Sequence, residues 1–148
     1  MAGKVVTTNN EQEQADIAVS FPIVLIDDDQ WLTVCGSLPD LQLAVEPDFL
    51  DDIVAGYDAL ARPLQLFAQE KQGSWGTRDA DTMVRVSGAP EPEALQRDVR
   101  SFFSLWTDEE APEFGDDLLQ YINSVKSRTE TVRTRRKARR PEDQIWRR

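Results

Sequence analysis

Short apolar runs separated by polar turns occupy the first part of the chain. Residues 20–26 and 31–35 are short and rich in β-branched or aromatic side chains, which is typical of strands. The polar residues 27–30 between them predict a turn that joins the two strands in a hairpin. A short helix is expected next, with Ser37 as its N-cap and its end just before Pro47.

The middle of the chain predicts three further strands. Residues 53–59 and 63–69 are separated by three residues, and in the second run apolar positions alternate with polar ones, so we expect a second hairpin. Residues 71–81 contain two glycines around Trp75 and are expected to form a loop. Residues 82–87 alternate again and predict the last strand.

Helical spacing dominates the last third of the chain. Apolar residues recur every three or four positions between residues 95 and 106, which predicts an amphipathic helix ending near Trp106. An acidic linker, residues 107–117, leads to a last helix that loses its apolar stripe as it becomes basic. The order ββαβββαα predicts an α+β fold, in which helices pack on one face of an antiparallel sheet of about five strands.

We expect one domain with a segment added at each end. A chain of 148 residues is near the commonest domain size. Residues 1–15 are polar and lack periodicity, which is typical of a disordered or loosely attached arm. Residues 16–126 predict a single acidic α+β domain, and residues 127–148 predict a basic, helical C-terminal extension.

Charge is distributed unevenly between the body and the C-terminus. The net charge is −10. Residues 121–148 include ten Lys/Arg and three Asp/Glu, which gives +7 and leaves −17 for the first 120 residues. A strongly negative field discourages nucleic acid and favours fast docking on a basic protein.

The chain contains no histidine, and this absence narrows the chemistry. It excludes the histidine-dependent serine and cysteine triads and histidine-ligated metal sites. The single cysteine, Cys35, lies in a predicted strand and is expected to be a small buried hydrophobe. No glycine-rich phosphate-binding motif occurs. We therefore expect no cofactor and no enzymatic activity, with a carboxylate-based enzyme as the remaining catalytic alternative.

The expected partner-binding surface is acidic. It is centred on six aspartates and one tryptophan, which are Asp27, Asp28, Asp29, Asp48, Asp51, Asp52 and Trp75. A tryptophan on a loop serves as an interface anchor or folds back over the sheet. Adjacent aspartates suit a divalent cation, but the spacing of a calcium loop is absent, and a solvated turn is the favoured interpretation.

A basic cluster marks the C-terminal segment. It comprises Arg133, Arg135, Arg136, Lys137, Arg139 and Arg140. Clustered arginines bind phosphates or anionic lipid, and such a segment also serves as a handle for a partner. The alternatives are a solvated extension, or one that folds onto the acidic body of its own chain.

A cytoplasmic location is expected from the absence of recognisable targeting signals. No run reaches the roughly 18 apolar residues of a membrane span. The first residues are too polar for a signal peptide, and no lipidation motif is present. We expect neither a membrane nor a small-molecule substrate among the partners.

Residues 38–47 and 56–64 resemble a pattern in small, largely uncharacterised bacterial proteins. There a short helix ends in Glu-Pro and precedes a hairpin with the pattern YDAxxRPLxL; the match covers roughly residues 20–106. The overall profile is also similar to immunity proteins of bacterial toxin systems, which are small, acidic and non-catalytic. That resemblance implies an inhibitor that docks on its toxin, often a basic nuclease. The basic tail departs from this profile.

Three functions remain open from the sequence. The leading hypothesis is an immunity or inhibitor-type protein that covers a basic site with its acidic surface. The alternative is an adaptor or assembly component of a phage or secretion machine, which docks through its basic C-terminal helix. The third is nucleic-acid binding through the same tail.

Overall fold

The computed structural model describes residues 17–73 and 78–147, and it describes side chains in these ranges except for those of residues 72, 78 and 133–147. The predicted arm, residues 1–15, lies outside the described residues. The elements are β1 (Ile23–Asp27), β2 (Leu32–Cys35), α1 (Leu38–Ala44), a 3-10 helix (Pro47–Asp52), β3 (Ile53–Tyr57), β4 (Leu64–Gln72), β5 (Arg78–Val86), α2 (Pro92–Trp106) and α3 (Leu118–Arg147).

The α+β class predicted from the pattern is confirmed, with the strands divided between two antiparallel sheets. One sheet has the order β2-β1-β3 and the other consists of β4 and β5. The hairpin predicted around residues 27–30 is present. The hairpin predicted between β3 and β4 is wrong, because β3 pairs with β1 from Tyr57 to Ile53. Only the isolated bridge between Tyr57 and Pro63 joins β3 to β4.

Strand β1 is covered on both faces. Val24 and Ile26 pack with buried residues of α2 and α3, whereas Ile23 and Leu25 pack with α1 and the inner side of β4 and β5. We had expected all helices on one face of the sheet. Instead, α2 and α3 lie on one face of β1, and α1 lies on the other. The cause is in the sequence of β1, since Ile23–Ile26 is apolar without alternation and a strand of this kind requires cover on both sides.

Helix α1 is fixed at its start by a cap and at its end by β5. The Ser37 hydroxyl accepts a hydrogen bond from the Asp40 N–H at 3.3 Å, as predicted for an N-cap. The buried Thr82 hydroxyl donates to the Val45 carbonyl at 2.7 Å, and the Gln42 amide donates to the Thr82 carbonyl. These bonds hold α1 against β5.

An aromatic cluster joins β2 to α2. The Trp31 ring meets the rings of Phe102 and Trp106 edge to face, each with 5.1 Å between centroids. Helix α2 ends at Trp106, as the spacing predicted. Helix α3 completes this layer with Ile122 and Val125, both fully buried.

Residues 57–63, which carry the YDAxxRP pattern, form a turn around a buried carboxylate. Asp58 is fully buried. It accepts hydrogen bonds from the backbone N–H groups of Leu60 and Arg62, both at 3.0 Å, and it forms a 2.7 Å ion pair with the Arg62 guanidinium. Arg62 also donates to the Ala18 carbonyl. The pattern thus has a structural role in this chain.

Helix α3 continues well past the core. Thr129 and Val132 are its last buried side chains among the described residues, and the helix runs on to Arg147. It crosses the expected boundary between residues 126 and 127 without interruption. None of the described helices is both long and apolar enough to cross a membrane.

Candidate protein-binding surface

Two acidic segments that are distant in sequence meet at one end of the three-stranded sheet. The β1–β2 turn contains Asp28, and the 3-10 helix ends at Asp52. The Asp28 N–H donates to the Asp52 carbonyl at 2.8 Å, and Asp27 is the register partner of Ile53. The structure therefore brings together the aspartates at 27–29 and 51–52 that the sequence proposed as one surface.

The turn is shaped by Asp27. Its carboxylate accepts hydrogen bonds from the N–H groups of Asp29 and Trp31, both at 2.9 Å, which is the arrangement of an Asx turn. Gln30 has a left-handed backbone with φ of 62°. Asp28 and Asp29 are exposed, so the turn presents two carboxylates to solvent.

Burial raises the pKa of the Asp27 carboxyl above its usual value, because desolvation disfavours the charged form. The N–H groups of Trp31 and Asp29 oppose this rise by stabilising the carboxylate, and the charges of Asp29 and Asp28 add to it. Ionised Asp27 is thus held in the turn at a cost, while its neighbours carry the exposed charge.

Asp27→Asn is expected to keep the turn and reduce the pH dependence of stability. The asparagine oxygen accepts the same two bonds. Because the pKa of Asp27 is higher in the folded than in the unfolded state, its contribution is fully present below the unfolded pKa and is lost as pH rises through the folded pKa. Asparagine should therefore be favoured near neutral pH, with its advantage disappearing in acid.

Urea unfolding from pH 3 to 7 measures this effect, with Asp27→Ala as the comparison. Alanine removes the acceptor as well as the charge, and should cost about 1 kcal/mol. Equal stability of the alanine and asparagine variants at every pH would contradict the assigned turn.

The three consecutive aspartates do not make a complete cation site. One carboxylate oxygen from each aspartate lies within 4.8 Å of the other two. Calcium takes about six to eight oxygen ligands, whereas this turn supplies one from each of three side chains, and Asp27 already accepts two N–H bonds. The hydrogen bonds fit the solvated turn favoured by the sequence.

Asp48 lies apart from the other predicted aspartates, at the opposite end of the 3-10 helix. It lines a groove of about 370 Å³ together with Glu46, Glu70 and Asp79. The sequence did not indicate these three residues as part of the surface. For Glu70 and Asp79 the reason is that β4 and β5 bring them to the 3-10 helix only in the folded chain. The acidic residues thus form two patches connected by Pro47–Asp52.

We call the combined surface the acidic stripe. It consists of Asp27, Asp28, Asp29, Glu46, Asp48, Asp51, Asp52, Glu70 and Asp79. The ion pairs among the described side chains are Asp58–Arg62, Lys71–Asp81 and Arg97–Asp98. None of them includes a residue of the stripe, although Lys71 lies opposite Asp79 in the β4–β5 ladder. The negative charge of the acidic stripe is therefore largely uncompensated within the described part of the chain.

Two apolar side chains are exposed beside the acidic patches. Phe49, in the 3-10 helix, is 54% exposed, and Val54, in β3, is 63% exposed. Val54 is turned outwards where the β1–β3 register shifts between Ile26 and Asp27. Trp75, the anchor expected from the sequence, lies outside the described residues.

A second groove lies between α2, the 107–117 linker and the start of α3. Its volume is about 610 Å³, and its walls carry Arg100 as well as Glu110 and Glu113. Burial raises the pKa of Tyr121 in this groove to about 12, so the phenol stays protonated at neutral pH. Phe114 packs on Tyr121 but remains 39% exposed.

The basic cluster of the tail lies on the second half of α3. The backbone is helical to Arg147. The side chains of Arg133, Arg135, Arg136, Lys137, Arg139 and Arg140 lie outside the described residues, so their predicted contacts remain predictions.

Comparison with known proteins identified no relative of this chain. The resemblance to small bacterial proteins and to immunity proteins therefore stays a prediction, and any function must be argued from the chain itself. No protein-family model, curated protein or solved structure was found to match this chain.

Proposed function

We propose that this protein is a non-catalytic, cytoplasmic binding module of the immunity or inhibitor type, which docks its acidic stripe on a basic surface of another protein. The observation that supports this most is the hydrogen bond from the Asp28 N–H to the Asp52 carbonyl. It fixes two acidic segments beside each other, so that their charges act on one partner surface.

The composition of the stripe suits a protein partner. Exposed carboxylates accelerate the encounter with a basic surface and orient it. Phe49 and Val54 supply apolar area that gains from being desolvated in a complex, as the central residues of an interface do. Phe49 is therefore the apolar anchor that we propose among the described residues, and the role of Trp75 stays a prediction.

The test combines capture of the partner with kinetics over a salt series. The tagged chain is used to capture proteins from its native host, and association with the captured partner is measured from 50 to 500 mM salt. We expect the association rate to fall about tenfold or more over this range, because screening removes electrostatic steering.

A matched pair of variants locates the contact. Asp51→Asn with Asp52→Asn should slow association, whereas Asp116→Asn with Asp117→Asn removes the same charge from the linker and should not. A flat salt dependence, or equal effects of the two pairs, would contradict the proposal.

The adaptor function is the second candidate, because α3 continues for fifteen residues after Val132. A helix of this kind suits docking into a larger assembly. Changing the six basic residues at 133–140 to glutamine should abolish complex formation if the adaptor proposal holds, and should leave inhibition intact if the inhibitor proposal holds. The same variant tests tail-dependent binding of DNA or RNA, which would be steeply salt-dependent.

A further inference from the structure

We propose that two copies of this chain bind each other reciprocally, with the basic half of α3 of one copy lying on the acidic stripe of the other. This inference rests on the proposed function, since it uses the stripe as a surface that binds basic protein. The basic protein that the stripe binds is here a second copy of the same chain.

Charge complementarity within one chain supports the pairing. The first 120 residues have a net charge of −17, and residues 121–148 have +7. Six Lys or Arg fall between residues 133 and 140 without an intervening acid. The nine acids of the stripe form no ion pair with another described side chain. Each copy therefore offers both halves of an electrostatic contact.

The topology favours a second copy over the chain's own tail. Helix α3 packs through Ile122, Val125 and Val132 on the β1 face that holds Val24 and Ile26. Leu50, in the 3-10 helix of the stripe, packs in the cluster on the opposite face of β1. Because α3 continues as a helix from residue 118 to 147, its second half cannot reverse onto that face.

The basic half of α3 is longer than the segment that connects the two acidic patches. Residues 133–147 span roughly 22 Å as an α-helix, at about 1.5 Å per residue. Pro47–Asp52 is a 3-10 segment with a break at Phe49, so it spans at most roughly 12 Å at about 2 Å per residue, and one acidic patch lies at each of its ends. The reciprocal arrangement uses the same two surfaces on both copies, so it closes as a two-fold dimer.

Ionic strength sets the conditions under which the dimer forms. Two chains of −10 repel each other at long range. At 0.15 M salt the screening length is about 8 Å, which suppresses this repulsion but retains contacts between adjacent charges. At 1 M it falls to about 3 Å, and we expect the dimer to dissociate.

Sedimentation velocity of the full chain at 5–200 µM, in 0.15 M and 1 M NaCl, tests the inference. Two full-length variants reverse one surface each. The tail variant combines Arg133→Glu, Arg135→Glu, Arg136→Glu and Arg139→Glu. The stripe variant combines Asp28→Lys, Asp48→Lys, Asp51→Lys, Asp52→Lys and Asp79→Lys, all at exposed positions, so that four acids and five lysines replace the nine acids of the stripe. Each variant alone should dimerise at least tenfold more weakly than the parent chain.

An equimolar mixture of the two variants is the decisive arm. The reversed tail of one is complementary to the reversed stripe of the other, and the remaining native surfaces also match, so a heterodimer should form. Asp116→Lys with Asp117→Lys is the control for an acidic pair outside the stripe and should dimerise like the parent. Circular dichroism confirms that each variant is folded.

A parent chain that stays monomeric up to 200 µM at 0.15 M salt overturns the inference, as does a dimer that both variants leave unchanged. Failure of the proposed function is distinguishable from this. If the tail variant still binds the captured partner and the stripe variant does not, the stripe binds protein and only self-association is wrong. If the stripe variant affects neither event, both proposals are wrong.

Discussion

Asp58→Ala is expected to lower the free energy of unfolding by about 3–5 kcal/mol, because it removes one partner of a buried ion pair. The carboxylate is fully buried and accepts from the N–H groups of Leu60 and Arg62. Alanine leaves these two N–H donors without their acceptor and removes the carboxylate from the Arg62 guanidinium, which keeps only its bonds to the Ala18 carbonyl and the Ser20 hydroxyl. Breaking one side of a buried pair costs more than the pair contributes, since the remaining partner is desolvated without compensation.

Denaturant unfolding checks this value, with two comparisons on the same residue type. Asp58→Asn keeps an acceptor oxygen but loses the charge, so its cost should be smaller. Asp48→Ala removes an exposed aspartate and should change stability by less than about 0.5 kcal/mol. If Asp58→Ala were as mild as Asp48→Ala, the turn would not depend on the buried ion pair.

Phe102→Ala is expected to have an effect of similar size, about 3–5 kcal/mol. The ring is fully buried and meets Trp31 and Phe103 edge to face, at 5.1 and 5.3 Å between centroids. Truncation leaves a cavity between β2 and α2. Because Trp31 also contacts Trp106, which donates to the Asp29 carbonyl at 3.3 Å, the acidic turn should lose support as well.

Thermal and denaturant unfolding measure the loss of stability. Tryptophan fluorescence reports the change around Trp31 and Trp106 that accompanies the loss of support for the acidic turn. Leu105→Ala on the same helix is the matched control, since Leu105 is 61% exposed and should change stability by less than about 0.5 kcal/mol. Equal losses from the two substitutions would show that Phe102 is not a core residue.

Local patterns predicted most elements, because they depend on neighbours in the sequence. The loop expected over residues 71–81 is wrong, since β4 continues to Gln72 and β5 begins at Arg78. The apolar run in β1, the Ser37 cap and the spacing that ends at Trp106 all act over a few residues. Burial of Cys35, expected from its place in a strand, is also confirmed. The α+β class follows from the order of these elements.

Contacts between residues that are far apart in sequence, such as strand pairings and the partners of buried polar groups, could not be predicted from local patterns. Tyr57 has partners on both sides, β1 by its ladder and Pro63 by a single bridge, and the pattern of residues 53–69 fits either. The residues next to Asp58 in the sequence do not distinguish it from the exposed aspartates. Its burial depends on Arg62 and on the Ser20 N–H, which lies 38 residues away in sequence.

The proximity of the acidic residues was predicted in part. The aspartates at 27–29 and 51–52 were grouped correctly, since they flank strands that meet at one end of the sheet. Glu70 and Asp79 meet Asp48 only in the folded chain, where the β4–β5 ladder places them beside the 3-10 helix. Exposure of Phe49 was not expected, because apolar side chains usually are buried. Exposure of one phenylalanine among acids leaves no periodic signal.

The two-sided cover of β1 has a consequence for how the molecule comes apart. Val24 and Leu25 are adjacent, but each belongs to a different apolar cluster. Loosening one cluster would expose the strand that lines the other, so neither half should persist alone during denaturation. Amide hydrogens of Val24 and Leu25 should exchange with deuterium only when the whole chain opens.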